Sequence, residues 1–131
     1  ASDPPLDSVE TVVATYLDAV SNQDTARVRS TFTTDGSVLW IENGLVHYRG
    51  VDGILEGLSA FPAGTPIATE MAPLEVQRIG SRGAHAWGTF TTSVGVAEGA
   101  YSFGGMISFL LEHDGEAWKL VGGHVSSPMP R

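Results

Sequence analysis

The chain has 131 residues, 42% of them hydrophobic, no cysteine and a formal net charge of −8. That length holds one domain with a real core, and the composition is that of a globular chain rather than a disordered one. The acidic balance repels phosphate backbones and sets nucleic acid aside as a partner. No apolar run reaches the length of a membrane span, and the lack of cysteine removes disulfides, thiolate catalysis and cysteine–zinc sites.

The chain opens Ala1-Ser2-Asp3-Pro4-Pro5, without methionine. Removal of a signal peptide leaves such an end and so does trimming, so cytoplasmic and exported locations both stay open. Residues 1–6 read as a flexible tail and 7–131 as a single domain. Asp7 and Glu10 have capping-box spacing. Val9, Val12, Val13, Tyr16, Leu17 and Val20 recur at helical intervals, which predicts an amphipathic helix over about 8–21. Asp24 caps a second, shorter helix in which Val28 and Phe32 lie one turn apart. After a turn at Asp35-Gly36, a strand over 37–42 and a short strand over 45–49 flank Asn43-Gly44, a strong hairpin signal. Val51, Ile54, Leu55 and Leu58 mark a third helix. Gly53 and Gly57 weaken it unless something packs close against them.

The second half reads as strand throughout. Ile67–Ile79 is interrupted by Pro73, which predicts a bulge or an edge position. His85–Val96, Tyr101–His113 and a final strand after Asp114-Gly115 follow through tight turns. Glycines inside these strands call for sharp curvature or close backbone approach. Helices first and strands later is the α+β pattern: a cone-shaped barrel of curved antiparallel sheet wrapped over three helices and enclosing one cavity. Along the last strand, Trp118, Leu120, Gly122, His124 and Ser126 alternate, so strict pleating puts an aromatic, an imidazole and a hydroxyl on one face, as in a pocket wall.

This order of elements resembles the nuclear transport factor 2-like superfamily, and within it the SnoaL-like branch. The segments that carry the resemblance are Val13–Val20, Phe32–Val38, Tyr48-Arg49-Gly50, and Asp114-Gly115 through Trp118 to His124-Val125-Ser126. The superfamily hosts isomerases, dehydratases, cyclases, epoxide hydrolases and non-catalytic domains, so the resemblance implies the fold more sharply than the function. Ketosteroid isomerases in this superfamily carry a tyrosine on the first helix, and Tyr16 falls there. Their general base aligns with Trp40, which takes no proton, and the partner acid falls near Met106, Ile107 and Ser108. Steroid isomerisation by that mechanism is therefore disfavoured.

Each candidate has a functional and an architectural reading. Tyr16 either polarises a ligand oxygen in the cavity or is a core aromatic with its hydroxyl satisfied elsewhere. Glu42 shares a strand face with Trp40 and is either an acid or base beside a dry ring or a solvated residue at the hairpin end. His124, helped by Ser126, is either a base on the pocket wall or, as the resemblance suggests, partly a signature of the fold. Trp40, Trp87, Met106 and Ser126 are the remaining expected lining residues. His47, His85 and His113 offer less, and no histidines have the spacing of a local metal motif. The expectation is a cofactor-free and metal-free cavity for a small, mostly apolar molecule. It serves an isomerase, dehydratase or cyclase of proton-transfer type, or a non-catalytic ligand-binding or assembly domain. The other face of the sheet, with Leu110 and Val121, is apolar enough to predict a homodimer through the sheet.

Overall fold

The computed structural model describes residues 3–34, 37–96 and 98–128. The turn expected at Asp35-Gly36 and the first two residues of the expected tail lie outside them. Helix α1 spans Asp7–Ser21 and buries Val9, Val13, Tyr16 and Ala19, the stripe that the periodicity marked. Its start differs from the expected capping box. The Leu6 carbonyl accepts from the Val9 amide at 3.0 Å and no side chain caps the end. Asp7 and Glu10 instead stand inside the first turn, where their charges complement the helix dipole. Helix α2, Thr25–Ser30, is capped by Asp24, whose Oδ1 accepts from the Arg27 amide at 3.1 Å. Helix α3 spans Gly50–Ser59. Its interior glycines have a use, because Tyr48 lies flat along them. A Cβ on Gly53 would touch Tyr48, and one on Gly57 would strike its ring and hydroxyl.

Seven strands follow: β1 Leu39–Glu42, β2 Leu45–Arg49, β3 Ile67–Met71, β4 Glu75–Ile79, β5 Gly83–Val94, β6 Tyr101–His113 and β7 Trp118–Ser126. They form one sheet in the order β2-β1-β7-β6-β5-β3, with β4 also paired to β5. The break at Pro73 splits the expected long strand in two, and both halves use the same edge of β5. The sheet is mixed rather than antiparallel throughout, because β1 runs parallel to β7. That pairing joins residues far apart in sequence, which no local pattern announces. Of the expected tail, Pro4 and Pro5 are tied down: their carbonyls accept from Arg78 Nη2 at 2.5 Å and Trp118 Nε1 at 2.9 Å.

The helices fill the concave side of the sheet, where α1 packs on β3 and β7. Val9, Val13, Val28, Phe32, Phe109, Trp118 and Leu120 are essentially inaccessible there, and such burial is the main favourable term for the fold. No helix among the described residues is long and apolar enough to cross a membrane.

Two bulges decide which residues face inward. In β7, Leu111 pairs with Leu120 but Leu110 pairs with Gly122, so Val121 is one residue extra. An extra residue breaks the alternation. Before it Trp118 and Leu120 are buried; after it Val125 is buried while His124 and Ser126 are exposed. In the β1–β2 hairpin, Trp40 pairs with Tyr48 and Ile41 with Val46, leaving His47 as the extra residue of β2.

Candidate functional site

Between the helices and the concave sheet lies a cavity of about 300 Å³. Its walls are mostly apolar: Val20, Val28, Ile54, Leu58, Ile67, Phe90, Ile107 and Val125. This is the low end of the size range for small-molecule sites, with the usual apolar lining and few polar groups. Tyr101 and Phe103, 52% and 42% exposed, stand at its rim with Glu42 and His47. Three larger hollows, of about 550, 540 and 380 Å³, are open surface depressions beside α3, beside the Pro4-Pro5 segment and beside Gln23 and Phe61. All three are more open to solvent than the cavity.

Tyr16 forms part of the cavity wall. Its ring is held edge-on by Phe32 and Phe109, with centroids at 5.6 and 6.0 Å, and lies 5.7 Å from Trp40. The residue is 7% exposed, and its hydroxyl makes no hydrogen bond among the described residues. No inaccessible side-chain nitrogen or oxygen there lacks a partner, so the hydroxyl must reach the open space of the cavity. Burial, then the charge of Glu42, then Tyr48 hold its ionisation well above the ordinary range. The hydroxyl therefore keeps its proton and is a hydrogen-bond donor at any physiological pH.

Trp40 and Glu42 also line the cavity, as the side-chain alternation of β1 requires. Trp40 Nε1 donates to Glu42 Oε1 at 3.2 Å, and His47 Nε2 lies 4.0 Å from Glu42 Oε2. The carboxylate thus has one oxygen held and the other facing an imidazole. Glu42 is the one carboxylate among the described lining residues. Tyr48 completes the group. Burial first and the charge of Glu42 second raise its ionisation above the usual value.

The remaining expected site residues do not join this group. His124 pairs with Ser108 and Ile41 on the convex face, opposite to Trp40, which pairs with Gly123. His124 and Ser126 are exposed, Met106 is 44% exposed, and Trp87 lies under the His85 ring at 4.8 Å on the same outer face. None of the four lines the cavity. The cause is the Val121 bulge for His124 and Ser126. For Met106 and Trp87 it is simple alternation, since their neighbours Ile107, Ala86 and Gly88 are the buried ones. His113 is half-buried: its ring meets Trp118 at 5.2 Å and Nδ1 accepts from the Gly115 amide at 3.1 Å.

His47, Tyr48, Thr69 and Thr92 are cavity residues that the reading of the sequence passed over. His47 had a signal. Counting back across Asn43-Gly44 puts it opposite Trp40, on the cavity face. The bulge then brings Tyr48 to that face as well.

Residues 9–130 match the family model of the SnoaL-like domain. No curated protein matches the chain at a significant level. Among solved structures, the fold is similar to a nuclear transport factor 2-like superfamily protein from Salmonella enterica serovar Typhimurium, at TM-score 0.80 and 18% identity over 94% of this chain and 90% of that one. A nuclear transport factor 2-like protein from Streptomyces avermitilis, provisionally named a dehydratase, superposes at 0.80 with 16% identity, covering 95% and 97%. A ketosteroid isomerase-like protein from Erwinia carotovora atroseptica gives 0.73 with 20% identity over 95% and 97%. At these identities the likeness is one of fold.

Proposed function

The chain belongs to the SnoaL-like domain family, and from that premise we propose that its cavity binds a small, mostly apolar molecule bearing an oxygen and moves a proton on it. The reaction class is that of an isomerase, dehydratase or cyclase acting without metal or organic cofactor. One observation carries this: a buried tyrosine hydroxyl with no hydrogen bond among the described residues opens into an apolar cavity whose rim holds a carboxylate. Tyr16 donates to the ligand oxygen and stabilises the negative charge that develops there. Glu42 Oε2 takes the proton from the adjacent carbon, while Trp40 keeps Oε1 in place. The electron pair of the broken C–H bond moves into the enolate held by Tyr16. Return of the proton to another carbon completes an isomerisation, and its delivery to a leaving hydroxyl completes a dehydration. His47, 4.0 Å from Glu42, steadies the carboxylate when protonated. His124 has no part in this scheme.

A second reading is a ligand-binding domain without catalysis. It is favoured by the Glu42 side chain being 39% exposed, since water competes with a ligand for a carboxylate at the rim. Exchange of carbon-bound protons separates the two. The probe is 2-tetralone in heavy water, followed by NMR. Wild-type protein is expected to speed deuterium entry beside the carbonyl. Glu42→Gln should lower the rate on the order of a hundredfold, and Tyr16→Phe by a similar factor. Saturable quenching of tryptophan fluorescence with no exchange above solvent background would establish the binding reading instead.

A further inference from the structure

On the β3–β5 side of the cavity, the apolar wall is interrupted once. Thr69 and Thr92 are direct cross-strand partners, both lining the cavity, with their Oγ1 atoms 2.8 Å apart. Around them the same inward face carries Ile67, Val94, Phe90 and Phe103. Thr92 is 8% exposed, and neither hydroxyl makes another hydrogen bond among the described residues. A pair of hydroxyls consumes only one of its two O–H groups. The second O–H, and the spare lone pairs, point to no protein partner. In an apolar surrounding such a group wants a hydrogen bond from whatever fills the space.

We propose that the Thr69–Thr92 hydroxyl pair is a second oxygen-binding point of the cavity, so that the natural ligand is a small apolar molecule carrying two oxygens, one held by Tyr16 and the other by the threonine pair. This rests on the reading of the cavity as a ligand site with Tyr16 as its donor. It narrows the substrate class from any apolar ketone or alcohol to hydroxyketones, diketones and diols of bicyclic size or smaller. The pair selects among ligands and takes no part in proton transfer. An ordinary cross-strand threonine contact, which sheets use for pairing alone, would leave ligand choice untouched.

Calorimetry with 2-tetralone and its 5-, 6-, 7- and 8-hydroxy isomers tests this. The isomers move the second oxygen around the ring while the ketone stays for Tyr16. On wild-type protein at least one isomer should bind about tenfold more tightly than 2-tetralone, the worth of one good hydrogen bond. The Thr69→Val/Thr92→Val double variant, which keeps shape and removes both hydroxyls, should abolish the difference in affinity between that isomer and 2-tetralone. Thr92→Ser should keep it. The proposal is overturned if no isomer gains, or if the gain survives the double valine variant. Should the double variant fail to fold, nuclear Overhauser contacts between the Thr92 methyl and the hydroxylated ring of the preferred isomer, in unaltered protein, decide the matter: their absence overturns it. If 2-tetralone binds but no hydroxyl helps, only this inference falls. If no tetralone binds at all, the Tyr16 reading falls with it.

Discussion

Tyr16 concentrates the chemistry of the cavity in one side chain. Burial, the Glu42 charge and Tyr48 all favour its neutral form, so its ionisation is linked to folding. Its folded value lies above the ordinary one of about 10. Below that pH both states are neutral and the contribution is whole. As pH rises past it, the unfolded chain ionises first and stability drains away until the folded tyrosine ionises too. Urea midpoints measured from pH 8 upward should hold steady and then fall, at about 1.4 kcal/mol per pH unit for this group. Tyr16→Phe should flatten that limb, with a smaller slope remaining from Tyr48, whose value is also raised. Near neutral pH the same variant should lose no more than about 1 kcal/mol, since the hydroxyl has no hydrogen bond among the described residues. An alkaline limb identical in both proteins would mean that Tyr16 is not shielded as described.

At the scale of elements, one inserted residue rearranges the site. Val121 adds a step to β7, and every side chain after it changes face. Gly123 thereby comes to lie against the Trp40 ring, where a Cβ would collide. Val125 enters the cavity wall, and His124 leaves for the convex surface. His124→Gln is accordingly expected to shift stability by no more than about 0.5 kcal/mol, as for other surface positions. It should leave the affinity for 2-tetralone unchanged. Thermal melts and calorimetry on the variant check both, and a loss of binding per folded molecule would return His124 to the site. The bulge in β2 works in the opposite sense, adding Tyr48 to the cavity beside His47.

For the molecule as a whole, the convex face of the sheet is the surface that bears on assembly. Leu39, Ile79, Met106 and Leu110 are 37%, 51%, 44% and 51% exposed there. Between them lie His85, Trp87, Ser108, Gly122 and His124, while Glu75 opposite Trp87 and Glu112 opposite Gly83 place carboxylates at the margins of the same face. Two copies of a chain with net charge −8 can meet over the middle of this face with those carboxylates left at the rim, and a twofold pairing is self-complementary. Light scattering at micromolar concentration should give a dimer mass, and Leu110→Lys should give a monomer. A monomer mass for the unaltered chain would overturn this. Val121, expected on the same surface, is half-buried and contributes less than Leu110.

Local pattern determined a large part of this protein. The stripe from Val9 to Val20 wrote α1, Asp24 wrote the start of α2, and Asn43-Gly44 wrote the hairpin. Pro73 wrote the break between β3 and β4, because each signal acts within one turn or one strand pair. The side-chain alternation of β1 likewise placed Trp40 and Glu42 on one face. What local pattern could not determine was the parity of β7. A bulge costs one residue and leaves no distinctive composition, yet it reverses a whole strand end. Nor could it reveal the parallel β1–β7 pair or the Thr69–Thr92 hydroxyls meeting across β3 and β5. These are contacts between distant parts of the chain, and their register is settled only when the sheet curls around the helices and the inward faces compete for one buried space.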